Sequence, residues 1–156
     1  MHPDDLAHYS LGAGELVRVS SARAQLYLPV VADASLRRGV AFLPMHWGEG
    51  ALGGFGMNAL MPRVIDPVSR QPELKYAAIR VEAACLPWRV TLLMPADVQS
   101  LRPLLEPWRE AFPYAVAVPV NVNGVEHLRV RLARATPLPL DSLWTWLEGL
   151  LPPAAR

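Results

Sequence analysis

Proline sets the terms on which this chain can fold. There are 16 prolines in 156 residues, with 10 glycines beside them. Each proline removes a backbone donor and fixes φ, so it ends helices and is tolerated in sheets only at edges, first positions or bulges. The run "NALMPRVIDPVSRQPELKY" carries prolines at 62, 67 and 72. That density forbids a regular helix or a central strand, so the run is expected to be irregular. The segments around it read as short elements. "HPDDLAHYSLGAG" predicts a short helix, with Pro3 or Asp4 near its N-terminus and Gly12 at its C-cap. "ELVRVSS" alternates Leu16, Val17 and Val19 against Glu15, Arg18 and Ser20, the pattern of a strand with one buried face. "AQLYLPVVAD" is a second strand with only "SAR" between, so the two predict a hairpin. "LRRG" turns the chain into a third strand, "VAFLPMHW", and "AAIRVEAA" is one more. Short strands, tight turns and one small helix predict a mainly β fold closed as a barrel.

Composition bounds the partners. Hydrophobic residues make up 52% of the chain, enough for a core, and the formal charge is +1. So balanced a charge does not suit a nucleic-acid partner. No stretch reaches the roughly 18 apolar residues of a membrane span, so no membrane association is expected. The lone cysteine, Cys85, excludes an internal disulfide and any iron–sulfur cluster ligated wholly by this chain. It reads as a packing residue. The opening "MHPDDLAHYS" is polar and unlike a signal peptide, which predicts a cytoplasmic location. Met1 leads at once into a helix start, as though the chain were part of something longer.

"GEGALG", residues 48 to 53, has the spacing G-x-G-x-x-G. A Rossmann fingerprint needs a strand before it and a helix after it, because the helix N-terminus holds the pyrophosphate. A strand is expected before it, but "GFGMNALMPRV" is no helix. Asp66, where a ribose-binding acid would fall, lies in the proline-rich loop rather than at a strand end. On spacing alone the glycines are a surface loop.

The wider constellation says more. "GELVRVSS", then "LPV", "GVAFLPMHW", "NAL", "DPVSRQPELK" and the strand "AAIRVE" follow one another in order. Together they resemble the C-terminal dinucleotide-binding domain of molybdopterin oxidoreductases, and within that group the large subunits of bacterial assimilatory nitrate reductases. The resemblance covers residues 1–84. It implies a double-psi β-barrel and, as cofactor, a molybdenum-bound bis(molybdopterin guanine dinucleotide) shared with the rest of the enzyme. It also implies roles for residues. Asn58 matches an asparagine that contacts the pterin dinucleotide; its other reading is a turn cap. Lys75, the sole lysine, matches a basic residue near a phosphate or pterin oxygen; its other reading is an exposed partner for Glu73. His46 and Trp47 would line the cofactor cavity by stacking or hydrogen bonding. Gly53 and Gly54, with Gly56, would permit close backbone approach. No residue of matching spacing makes His46 a metal ligand, and no catalytic residue is expected.

The family's usual upstream strand and its "T-G-R"-like turn do not precede Met1 in this sequence, nor do the cluster-binding cysteines and catalytic core. The chain alone is therefore not expected to reduce nitrate. Its expected partners are the remaining domains or subunit of the oxidoreductase. An incomplete barrel edge would also invite self-association. The alternative is a non-catalytic protein-interaction or assembly module that keeps the barrel but not the cofactor.

Residues 85–156 predict a small α+β module of unknown role. "PWRVTLLMP" reads as a strand, "DVQSLRPLLEPWREAF" as a helix broken or shifted by its prolines, and "YAVAVPVNVNGVEHLRVRLA" as a hairpin about Asn123-Gly124. "LDSLWTWLEGLL" predicts a helix capped near Asp141, with Leu143, Trp144, Leu147, Leu150 and Leu151 on one side. Trp88, Trp108, Trp144 and Trp146 read most simply as core; the alternative is that some form an exposed docking patch for another subunit or an electron donor.

Overall fold

A computed structural model describes residues 1–44, 56–72, 76–95 and 111–150, without the side chains of 95, 146, 147, 149 and 150. The chain divides into two compact units, Met1–Cys85 and Leu86–Arg156. Both are built around antiparallel sheets, so the fold is mainly β. Among the described residues no helix is long and apolar enough to cross a membrane.

The first unit opens with α1, Pro3–His8. Pro3 takes the first turn, where its missing N–H costs nothing. His2 is the N-cap, its Nδ1 accepting from the Asp4 N–H at 3.1 Å. Asp4 and Asp5 lie in the first turn, where acidic groups complement the helix dipole. The helix ends earlier than Gly12, at Tyr9. Ser10 takes the left-handed position, with φ 54°. Its N–H donates to the Ala7 carbonyl at 3.1 Å, and the Leu11 N–H to the Leu6 carbonyl at 2.8 Å. This is a Schellman ending, sealed by the buried pair Leu6 and Leu11. The apolar contact fixed where the helix stops, and the nearby glycine was not needed. Gly12 instead donates its N–H to Glu15 Oε2 at 2.6 Å.

Strands β1 (Leu16–Ser20), β2 (Gln25–Pro29) and β3 (Arg80–Ala83) form a sheet in the order β2-β1-β3. The expected hairpin pairs Leu16 with Pro29 through Ser20 with Gln25. β3 lies antiparallel on the other side of β1, with Val17 opposite Ala83 and Ser20 opposite Arg80. Val17 and Val19 turn inward, joining Leu6, Leu11, Leu26, Val30 and Leu60 in one core. Arg18, Ser20, Gln25, Arg80 and Glu82 share the other face. Among the described residues the sheet does not close into a ring.

The expected strand over 40–47 does not form where it is described. Residues 40–44 have no ladder partner, and Val40 and Phe42 are 45% and 70% exposed. The chain here is held instead by the Gly39 N–H, which donates to Asp5 Oδ2 at 2.7 Å, and by Leu43, which packs against the first core. Residues 45–47 lie outside the described residues. The proline-rich run is irregular, as expected, with a 3-10 turn at Met57–Leu60 and an isolated bridge between Ile65 and Pro72. Cys85 does not pack: it is exposed, with φ 51°. A left-handed residue two positions beyond the end of β3 turns the chain away from the sheet, and the thiol goes with it.

The second unit pairs β4 (Trp88–Pro95), β5 (Tyr114–Val122) and β6 (Val125–Arg134) in the order β4-β6-β5. Pro95 and Pro119 both fall on the outer strands, and the central β6 has none, because a central strand donates to both neighbours. Asn123 and Gly124 make the expected hairpin turn, with φ 51° and 83°. One sheet face carries Leu128, Val130 and Leu132 of β6, packed with Ala115, Phe112 and the half-buried Leu92, Leu138 and Leu143. Trp88 stacks on Phe112 at 6.0 Å. Helix α2 spans Leu140–Leu150. It turns Leu143 toward this core but leaves Trp144 62% exposed, contrary to the expected core role. Adjacent helical residues point about 100° apart, so one face cannot seat both. Trp108, the broken helix over 97–110, and the side chains of Trp146, Leu147 and Leu150 lie outside the described residues, as does Leu151.

Candidate functional site

The site residues expected from the sequence fall mostly outside the described residues: His46, Trp47, Gly53, Gly54 and Lys75, with Glu73. Asn58 is described. It sits in the 3-10 turn that follows Gly56, and its side chain is exposed. The turn is anchored by two buried residues at its end, Leu60 and Met61. It is also tied to the β1–β2 hairpin, because Arg23 Nη1 donates to the Met61 carbonyl at 2.5 Å. A rigid backbone thus holds the Asn58 carboxamide in solvent. The backbone carbonyl of Asn58, not its side chain, closes the turn by accepting from the Met61 N–H at 3.2 Å. Among the described residues its carboxamide has no hydrogen-bond partner, leaving two donors and an acceptor free.

The same hairpin borders a groove of about 440 Å³ on the polar face of the first sheet, lined by Arg18, Ser20, Ser21, Gln25, Arg80 and Glu82 among others. The register explains the gathering. Arg18 lies opposite Glu82 on β3, and Ser20 is flanked by Gln25 and Arg80. Arg18 Nη2 donates to Glu82 Oε2 at 2.7 Å. That hydrogen bond and its charge hold the Glu82 carboxyl below its usual range and push the Arg18 guanidinium higher. With one arginine matched by Glu82, Arg80 leaves the groove one positive charge in excess. Two hydroxyls and a carboxamide add neutral donors and acceptors. Such a set suits an anionic group that also carries hydrogen-bonding edges. None of these groove residues stood out in the sequence. Alternation puts Arg18 and Ser20 on one face of β1, but only the pairing of β1 with β3, sixty residues later, makes them neighbours of Arg80 and Glu82.

Asp66 is committed elsewhere. Its Oδ1 accepts from the Ser69 N–H at 2.7 Å and the Val68 N–H at 3.0 Å. These bonds and the Ser69 hydroxyl hold its carboxyl below the usual range. It is a turn former. Among the described residues no three His, Cys, Asp or Glu side chains come together as a metal site.

Comparison with known proteins gives these features a context. The nitrate reductase of Klebsiella oxytoca is 34% identical over 87 residues, 56% of this chain and 10% of that protein. The F420-dependent formate dehydrogenase subunit alpha of Methanocaldococcus jannaschii is 29% identical over 82 residues, 53% of this chain and 11% of that protein. The assimilatory nitrate reductase catalytic subunit of Bacillus subtilis is 26% identical over 81 residues, 52% of this chain and 11% of that protein. The chain thus matches about a tenth of the length of these relatives. No solved structure gives a significant match. The family described as the molydopterin dinucleotide binding domain matches residues 1–78, half of the chain and nearly all of its first unit. Asn58 and the groove both lie on that unit, and the chain belongs to the molydopterin dinucleotide binding domain family.

Proposed function

We propose that this chain is the cofactor-binding C-terminal part of a molybdenum-dependent oxidoreductase, a nitrate reductase. It holds bis(molybdopterin guanine dinucleotide) jointly with the remaining domains or subunit of that enzyme. The observation that carries this reading is the family match over residues 1–78. Nitrate is favoured because the nitrate reductase of Klebsiella oxytoca is 34% identical over 87 residues, against 29% over 82 for the formate dehydrogenase subunit of Methanocaldococcus jannaschii.

The described residues fit such a group. A pterin or guanine edge offers donors and acceptors side by side, and the exposed Asn58 carboxamide offers the complement. We assign Lys75 to a phosphate or pterin oxygen, His46 and Trp47 to the walls of the cavity, and Gly53 and Gly54 to close backbone approach. Bound, the group would supply the redox metal; each of these residues acts only by holding it. The fold we propose for the complete domain is a double-psi β-barrel. The edges of β2 and β3 would be completed by strands from the rest of the enzyme or from a second copy of this chain.

Asn58→Ala in the complete enzyme tests the assignment. Losing a hydrogen bond to the cofactor predicts about tenfold weaker cofactor retention, read as molybdenum by mass spectrometry and as pterin by fluorescence after oxidative release. Activity on nitrate should fall in step. Unchanged occupancy would count against the reading. If the purified chain also folds without molybdenum or pterin, a non-catalytic protein-interaction module becomes the better account. Turnover of formate but not nitrate would keep the cofactor and replace the substrate.

A further inference from the structure

The second sheet has one face in the core; on its other face Tyr114 and Ala133, at one end, are buried, and the remaining described side chains are half-buried or exposed. In register on this outer face are Arg89, Thr91 and Leu93 of β4, His127, Arg129, Arg131 and Ala133 of β6, and Tyr114, Val116 and Val118 of β5. Thr91, Arg89 and Arg131 are exposed, and Leu93 is 50% exposed. The face is cationic and, among the described residues, holds no carboxylate. Glu126 of β6 is on the opposite side, since residues one apart on a strand point to opposite faces. Arg129 and Arg131 stand two residues apart on the central strand, about 7 Å from one another. Like charges so placed repel, so their presence side by side asks for a physical reason.

Solubility is one reason, but it does not suit Arg129. A guanidinium kept for solubility stands in water. The Arg129 side chain is half-buried between Leu93 and Val118, and its Nε is shielded from water with no acceptor among the described residues. It lies on the sheet with Leu93 on one side and Val118, followed by Val116, on the other. Arginine set between apolar side chains is a pairing that protein-binding patches favour.

We infer that this face docks a polypeptide segment that presents carboxylates at strand spacing. An extended chain with acidic residues two apart repeats at the same distance as Arg129 and Arg131. Val116, Val118 and Leu93 would meet the apolar stems on either side. A single-stranded nucleic acid is a poorer fit, because it favours an exposed aromatic ring on which bases can stack. Tyr114, on this face, is buried.

Fluorescein-labelled poly-L-glutamate, titrated into the full chain at low ionic strength and followed by anisotropy, tests the inference. Arg89→Gln with Arg131→Gln removes two exposed charges from the face, and Arg37→Gln with Arg63→Gln removes the same charge from exposed sites on the first unit. We expect binding about tenfold weaker in the first pair and little changed in the second. Circular dichroism checks that both pairs fold. Arg129→Gln, which removes the half-buried donor, should weaken binding on its own. Equal losses in both pairs, or none in either, would overturn the inference. So would tighter binding of oligothymidylate, or of phosphatidylglycerol vesicles, that depends on Arg89 and Arg131.

Discussion

At the scale of single residues, the polar face of the first sheet turns on the pair Arg18–Glu82. The Glu82 carboxylate accepts a hydrogen bond from Arg18 in the folded chain and loses it on unfolding, so its pKa is lower when folded. A depressed carboxyl stabilises the fold above its unfolded pKa, near pH 4. That contribution is lost as pH falls through the folded value. Asp33 and Asp66 act in the same direction, held low by Ser35 and by the Ser69 N–H. Stability should therefore decline as the pH drops below about 5. Glu82→Gln removes one of the three contributions. Melting temperatures at pH 7 and pH 3.5 should show the variant less stable at neutral pH and less sensitive to acid. The effect will be small, because both partners are well exposed. An unchanged acid slope would mean that the pair contributes nothing to folding. Asn58 could be singled out at this scale, because a short motif carries the resemblance there. The groove could not, because it needs a pairing across more than sixty residues.

At the scale of elements, the hairpin of β5 and β6 was legible because its signal is local. Asn-Gly supplies the two left-handed residues that a two-residue turn requires, and both adopt them. No atom would crowd a Cβ at Gly124, so Gly124→Ala isolates the backbone cost. That cost is about 1 kcal/mol. It should appear as a lower urea midpoint with an unchanged slope; a neutral result would mean that the turn relaxes. Asn123→Gly should cost much less. The errors at this scale also have physical causes. The strand over 40–47 is read from an apolar run, but such a run cannot say whether a partner strand is present, and residues 40–44 have none among the described residues. α1 ends at Tyr9 because Leu6 and Leu11 can bury together there, a tertiary contact that outweighs the preference for glycine. Trp144 follows the apolar stripe of α2 by count, yet one residue's rotation carries it to solvent.

At the scale of the molecule, two cores divide the chain. One gathers Val17, Val19, Leu26 and Leu60; the other gathers Phe112, Leu128, Val130 and Leu132, and the two share no residue. A unit with its own core can unfold as its own cooperative unit. The second unit spans residues 86–156, and a domain of that size carries only about 4–10 kcal/mol of stability. Leu128 is 2% exposed at the centre of its core. Leu128→Ala should cost about 2–5 kcal/mol, a large share of that total. The melting point of the second unit should then fall by about 10 °C or more. Val17, 2% exposed in the other core, is the matched probe: Val17→Ala should lower the transition of the first unit instead. Differential scanning calorimetry reads both changes in the same chain. Each substitution moving a different transition would establish two folding units, so that a partner docked on the arginine face could stabilise its own unit without tightening the hold on the cofactor. A single transition moved by both would mean that the units fold as one. Occupancy of either surface would then be felt at the other by mass action.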